Sequence, residues 1–550
     1  MVVPASAVDH SAPRTDGPGR FLGRWVFHPF LLVAYPILAL YAQNAREVRL
    51  AAMTRLIGVV LVVTLILGAV ASVVLKDVRK GGLITSLGVL LFFTFDLATD
   101  RANATVSFLS RLWVVHEFTR SSGPVALVEI ALLAWAAYLV KTKLAGPRRA
   151  TAFLNVFSLI LIALPTYEVI AVKTPTAGRP PRVPAAFEIG ARSELGPPPD
   201  IYYIILDGYA RTDVMKSFFD FDNTPFLDRL EKQGFYLGRE SIANYCQTPL
   251  SLSASLNSVY LDDLVKGLGP DQTELSDLIG KSDVVATLKG IGYKFVTFAT
   301  GFDPTEHPEA DVYLSPHPFS SGFERMVIDI TPLRRIWPNP SESQPAKMSR
   351  DRTFFLLDRL PDVANDRAPT FTLAHVFCPH PPILYGRNGE DVRMRYVLYT
   401  LSGADRINGR FRNPAEFARG YRDQAEFITQ RIEETIQRIL ARSPEPPIII
   451  LQSDHGSELN LDMTNVNNTD LKERMSILNA YYFPQRKYGA LYPGISPVNS
   501  FRVVLNTFFG AHLKLLPDRS FFSTWADPYH FIDVTDAVKT SHPGPGVVKP

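Results

Sequence analysis

Two apolar runs in this 550-residue chain end in side chains that can do chemistry. DIYYIIL at 200–206 stops at Asp207-Gly208, and PIIIL at 447–451 stops at Gln452-Ser453-Asp454-His455-Gly456. A buried strand that delivers an acid at its carboxyl end is a common way to build a site on an α/β sheet. Adjacent Asp454 and His455 can ligate one cation, or act as a base and its partner. Each ending, taken alone, also reads as an ordinary turn. A third strand-like run, TFTLAHVFCPHPP at 370–382, carries His375 and His380, with Pro379, Pro381 and Pro382 fixing the backbone around His380. A fourth stretch, NYCQTPLSLSASLN at 244–257, puts Thr248 at a helix N-cap and Pro249 at the first helical position. A helix start presents free amides and positive potential, which suit a phosphate or sulfate attached to, or attacked by, the Thr248 hydroxyl. The cap and nucleophile readings are compatible.

The elements that must position these groups fall into two halves. The averages of 46% hydrophobic and 20% charged residues conceal this division. Residues 25–172 are mostly apolar, whereas 200–540 read as a globular domain. Apolar runs at about 26–43, 56–75, 81–99, 124–140 and 152–171 are each near the length that spans a bilayer. Lys and Arg in short loops set orientation. One side carries Arg14, Arg20, Arg24, Lys76, Arg79, Lys80, Lys141, Lys143, Arg148 and Arg149; the other carries Arg46, Arg49, Arg55, Arg101, Arg111 and Arg120. The first set is larger and lies closer to the apolar ends. The expectation is therefore a cytoplasmic tail (1–24), a transmembrane domain (25–172), a Pro-rich semi-rigid linker (173–199), an extracytoplasmic domain (200–540) and a C-terminal tail (541–550). Asp96, Glu129 and Glu168 sit near the outer span ends, either reaching toward water or lining a polar pocket. The net charge of +3, without an aromatic-interleaved basic stretch, gives no reason to expect nucleic acid. The two cysteines, Cys246 and Cys378, form no CxxC pair, which excludes a zinc ribbon or thioredoxin-like motif.

Taken in order, these stretches resemble the alkaline phosphatase/sulfatase superfamily over roughly residues 200–510. With the spans in front, the layout is similar to lipoteichoic acid synthases and phosphoethanolamine transferases. LKERMSILNAYYFP at 471–484 also resembles the segment that follows the site in that family. The resemblance implies a bundle of about five transmembrane helices, then an α/β sulfatase-like domain with a central mixed sheet flanked by helices. It implies one divalent cation, Mn²⁺, Mg²⁺ or Zn²⁺, held by Asp207, Asp454, His455 and the nucleophile Thr248. His380 would contact the substrate, and Arg211 and His375 could help hold an anion. The implied activity is a metal-dependent hydrolase or transferase at the outer face of the plasma (inner) membrane. Its substrate would be a phosphoryl-linked membrane lipid or lipid-linked envelope molecule, and its intermediate a phosphothreonine. The alternatives are a sulfatase-like hydrolase of a sulfate or phosphate ester, or a non-catalytic envelope protein that retains the fold. Sulfatases carry Cys (or Ser)-x-Pro-x-Arg, but Cys246 is followed by Gln247-Thr248-Pro249-Leu250, so Cys246 does not read as a formylglycine precursor. Asp303 and His307 have the Asp-x-x-x-His spacing of a second metal pair, though far upstream of Asp454. If the Thr248 and His380 loops meet one substrate, Cys246 and Cys378 approach one another. Outside the cytoplasm they can then form a disulfide; the other outcome is two free thiols packed as small hydrophobes.

Overall fold

The IYYIIL run forms β1 (Ile201–Leu206), a strand buried along its whole length. Tyr202, Ile204 and Leu206 enter one hydrophobic cluster, and Ile201, Tyr203 and Ile205 another. Successive side chains of a strand point to opposite faces, so a strand covered on both sides must be apolar throughout. The computed structural model describes residues 23–112, 123–174, 182–190, 198–316, 322–333, 344–366, 368–392, 406–407, 410–411 and 413–540. The expected C-terminal tail and residues 1–22 of the expected N-terminal tail lie outside the described residues.

The chain divides into two compact units. The first contains the apolar helices α1 (His28–Asn44), α2 (Leu50–Leu75), α3 (Val78–Leu112), α4 (Gly123–Thr142) and the body of α5 (Pro147–Lys173). Among the described residues, α2, the Val78–Phe95 part of α3, α4 and α5 are long and apolar enough to cross a membrane. Val59, Leu65, Leu127 and Ile160 on these helices are exposed, a surface that suits lipid and not water. The first of the five expected spans is α1, with 17 residues. It stands at the lower limit of the roughly 17–25 residues a span needs. Glu168 is exposed and Glu129 half-buried; the side chain of Asp96 lies outside the described residues.

The second unit is built on a seven-stranded mixed sheet. Its other strands are β2 (Tyr236–Leu237), β3 (Lys294–Phe298), β4 (Val312–Leu314), β5 (Thr370–Val376), β6 (Ile448–Gln452) and β7 (Asn479–Tyr482), in the order β2-β7-β6-β1-β5-β3-β4. β1 runs parallel to both neighbours, with Ile204 opposite Ala374 and Leu451. β7 is antiparallel to β6. The parallel register brings the carboxyl ends of β6, β1 and β5 side by side, where ligands bind in open α/β sheets. Helices α6 (Thr212–Phe219), α7 (Thr224–Gln233) and α11 (Pro414–Arg442) contribute Met215, Leu230 and Ile432 to the cluster on one face. The other face is covered by α8 (Thr248–Asn257), α10 (Asp283–Gly290) and α12 (Pro497–Phe509), through Leu252, Val284 and Val504. Between α8 and α10 lies α9 (Thr273–Gly280).

The described part of the expected linker is pinned to this unit and is not a free spacer. Arg182 pairs with Asp283 at 2.7 Å, the amides of Ala185 and Phe187 donate to Asp283 Oδ1 and Thr287 Oγ1, and the Gly190 amide donates to Phe509 O. Residues 45–49, between α1 and α2, also belong to this second unit.

Candidate active site

Asp207 is the first residue past β1. Its amide donates to Val376 O at 3.0 Å, and its carbonyl accepts from the His380 amide at 3.0 Å, so the ends of β1 and β5 are fastened together. Asp454 follows β6 by one residue, and its Oδ1 accepts from the Gly208 amide at 3.1 Å. Gly208 sits at φ 69°, a left-handed conformation that glycine adopts without steric cost. The Ser251 hydroxyl, on α8, donates to Asp454 O at 2.7 Å, locking the helix that carries Thr248 to the Asp-His loop. This accounts for the serines of that helix. All of α8 is buried, and Ser253 and Ser255 satisfy their hydroxyls on Leu275 O, Pro497 O and Tyr203 Oη.

Thr248 does not cap its helix. The helix starts at Thr248 itself, the N-cap is Gln247, and no side chain makes a capping bond. Thr248 Oγ1 instead lies 3.1 Å from His455 Nε2. His455 Nδ1 donates to Gly456 O at 2.9 Å. That bond selects the tautomer whose Nε2 carries a lone pair, aimed between Asp454 Oδ2 at 3.3 Å and Asp207 Oδ1 at 3.6 Å. On the other side, His375 Nε2 is 3.2 Å from Asp207 Oδ2 and its Nδ1 is 3.0 Å from Thr305 Oγ1. His380 Nδ1 donates to Pro381 O at 2.6 Å, and its ring lies 5.9 Å from that of His455.

Among the described residues, two groups bring ligand atoms within 4.8 Å of one another: Asp207, His380 and His455, and Asp207, His375 and Asp454. Asp207 Oδ1 and Asp454 Oδ2 are buried without a hydrogen-bond partner. Two buried carboxylate oxygens facing one imidazole lone pair are costly unless a cation meets them. The residues therefore fit a divalent cation, and oxygen ligands with imidazole suit Mn²⁺, Mg²⁺ or Zn²⁺. Burial alone would raise the Asp207 carboxyl pKa, but the His380 charge and the His375 hydrogen bond hold it below the usual carboxylate range. Burial would lower the pKa of His380, yet the carboxylates of Asp207 and Glu458 raise it. Burial and the Arg474 charge push that of His455 down.

The structure bears on three readings that the sequence left open. Arg211 is not aimed at this cluster. Its Nε and Nη2 bind Asp213 at 2.8 Å each, and Nη1 reaches Ser241 O. Asp303 and His307 are not a second metal pair, because Asp303 Oδ2 accepts from the Arg49 amide and His307 Nδ1 faces Glu309. Cys246 and Cys378 are free thiols. They point into separate cores: Cys246 Sγ contacts Ser523 O at 3.5 Å and Cys378 Sγ contacts Gln424 O at 3.7 Å.

Sequence reasoning assigned no role to Arg474, Glu473 or Thr305. Buried Arg474 donates from Nε and Nη2 to Cys246 O at 2.9 and 2.7 Å, and from Nη1 to Gly456 O at 3.2 Å. It thereby joins the Thr248 loop to the His455 loop. Glu473 accepts from Ser457 Oγ and from the Leu459 and Asn460 amides, fixing the backbone just past His455. The only signal for either was the LKERMS segment.

No family model and no curated protein matches the chain. The solved structures to which it is similar include phosphoethanolamine transferases and sulfatases. For the zinc complex of the C-terminal periplasmic domain of EcEptC from Escherichia coli, the identity is 14% and the TM-score 0.41, over 66% of this chain and 99% of that one. For the integral membrane protein lipooligosaccharide phosphoethanolamine transferase A from Neisseria meningitidis, the identity is 13% and the TM-score 0.40, over 89% of this chain and 95% of that one. For a 2-O GAG sulfatase, the values are 11% and 0.34, over 58% and 72%.

Proposed function

We propose that the protein is a membrane-anchored, metal-dependent phosphoryl hydrolase or transferase that works through Thr248 at the outer face of the plasma membrane. The observation that carries this reading is the position of Thr248 Oγ1, 3.1 Å from the Nε2 of a histidine that also faces two unpartnered carboxylate oxygens. A divalent cation held by Asp207, Asp454 and His455 would supply Lewis acidity, lowering the pKa of the hydroxyl and offsetting phosphoryl charge. Thr248 Oγ1, its proton released to solvent, attacks phosphorus, forming the O–P bond as the bond to the leaving oxygen breaks. His380, whose ring lies 5.9 Å from that of His455, would give its proton to that leaving oxygen. Water or a second hydroxyl then takes the group from phosphothreonine.

Transfer to phosphorus is favoured over sulfate-ester hydrolysis because Cys246 is buried against Ser523 and lacks the formylglycine motif. The apolar helices in the same chain support a lipid-borne substrate. The test is mass spectrometry of the purified full-length chain after incubation with Mn²⁺ and phospholipids of defined head group. A head-group phosphoryl adduct on the Thr248 peptide is expected. A chain that binds metal and turns over substrate with Thr248 unmodified would remove the covalent route.

A further inference from the structure

Five residues between α1 and α2 take part in the domain that holds the site. The Gln272 amide donates to Arg46 O at 2.8 Å, and Arg46 Nη1 donates to Trp525 O and Ala526 O at 3.0 and 3.2 Å. The Arg49 amide donates to Asp303 Oδ2 at 2.8 Å, and its guanidinium reaches Ser276 and Asp277 on α9. Lys173, at the far end of the apolar half, binds Asp271 and Thr273 in the same region, at 2.9 and 3.1 Å.

Asp303 opens a short 3-10 turn that ends at Thr305. Ser276 Oγ also holds this turn, through Asp303 O. Thr305 Oγ1 meets His375 Nδ1 at 3.0 Å, and His375 Nε2 meets Asp207 Oδ2 at 3.2 Å. Thr305, His375 and Asp207 are all buried. Hydrogen bonds therefore link the loop at 45–49, through one turn and one imidazole, to a carboxylate of the site.

We infer that the loop between the first two apolar helices, acting through Asp303, Thr305 and His375, positions Asp207 for cation binding. This rests on the reading of Asp207 as a metal ligand. With its proton on Nε2, His375 donates to Asp207 Oδ2 and accepts at Nδ1 from the Thr305 hydroxyl, for which Thr300 Oγ1 at 3.1 Å and Phe302 O at 3.4 Å are the competing acceptors. Oδ2 is then occupied and the carboxylate plane fixed, which leaves Oδ1 for the cation. Partners behind a metal ligand typically govern affinity by about 10–100-fold. Arg49, Asp303 and Thr305 are thus positioning residues.

The experiment is calorimetric titration of the full-length, detergent-solubilised chain with Mn²⁺ and, separately, Zn²⁺. Thr305→Val removes the hydroxyl and should weaken binding by roughly 10-fold or more, with an apo-protein melting temperature near wild type. Thr305→Ser keeps the hydroxyl and should restore affinity, which a merely space-filling role would not require. Asp303→Ala releases the turn from the Arg49 amide and should also weaken binding. Wild-type affinity in Thr305→Val overturns the inference, and wild-type affinity in Asp303→Ala alone overturns the part played by the 45–49 loop. A wild-type chain that takes up neither cation overturns the metal reading and this inference with it.

Discussion

Thr248 Oγ1 meets His455 Nε2 and caps no helix, so replacing it separates chemistry from folding. Thr248→Ala should lose roughly 10³-fold or more in turnover, while stability falls by only about 1 kcal/mol for one hydrogen bond. Activity at the wild-type level, measured on the same preparation, would exclude Thr248 as nucleophile. Asp454→Ala removes one of the two unpartnered carboxylate oxygens and should sharply lower the metal content found by elemental analysis of the purified chain. Glu473 makes a prediction about pH. Burial pushes its carboxyl pKa up to about 6, from an ordinary 4.5. A carboxyl raised in the folded state stabilises the fold below its unfolded pKa, and that stability is lost as pH rises through the folded value. The loss should amount to about 1.5 kcal/mol between pH 4.5 and 6.5. Denaturant titrations across that window should show the decline in wild type and not in Glu473→Gln. The positions of Asp207, Asp454 and His455 past strand ends and of Thr248 at a helix start were legible because such ends announce themselves in the sequence. Thr305 and Arg474 were not, because a hydroxyl on an imidazole and a guanidinium on two carbonyls leave no spacing to read.

Among the elements, strands β1 and β6 were legible because a strand buried on both faces must be an unbroken apolar run. The docking of 182–190 was hidden, because apart from the Arg182–Asp283 pair its anchors are backbone amides that any residue but proline can provide. The cysteine bridge failed for a related reason. Two loops can converge through their anchor residues while the side chains two positions earlier turn into different cores. Convergence of the Thr248 and His455 loops depends instead on the Arg474 clamp. Arg474→Ala would leave Cys246 O without its buried donors and should cost about 3 kcal/mol. Arg474→Lys keeps the charge but cannot reproduce the forked geometry, so it should recover only part of that loss. Thermal or denaturant unfolding of the two variants checks the order; equal stability of wild type and Arg474→Ala would mean that the clamp contributes nothing.

For the whole molecule, the loop at 45–49 and the sheet domain can be put on one side of the membrane without counting charges, and the charges then say which side that is. Residues 45–49 and the sheet domain form one unit, so they must lie on one side. Between them lie α2, α3, α4 and α5, each long and apolar enough to span; if each crosses once, the even count returns the chain to the side it left. This holds whether or not α1 also spans. It also explains Arg46 and Arg49, which count against the charge bias in the sequence but have partners on the domain. The turn at Lys76, between α2 and α3, must then face the opposite side, where the larger Lys/Arg set places the cytoplasm. In intact cells, a membrane-impermeant maleimide should label Asp527→Cys, an exposed site on the domain, and leave Lys76→Cys unlabelled until the membrane is opened. Background should be low, since Cys246 and Cys378 are buried. A reporter active only in the cytoplasm, fused after Pro550, should be silent. The opposite labelling pattern would put the domain in the cytoplasm and withdraw outer-leaflet lipids as its substrates. Labelling at both positions would break the even count of crossings itself.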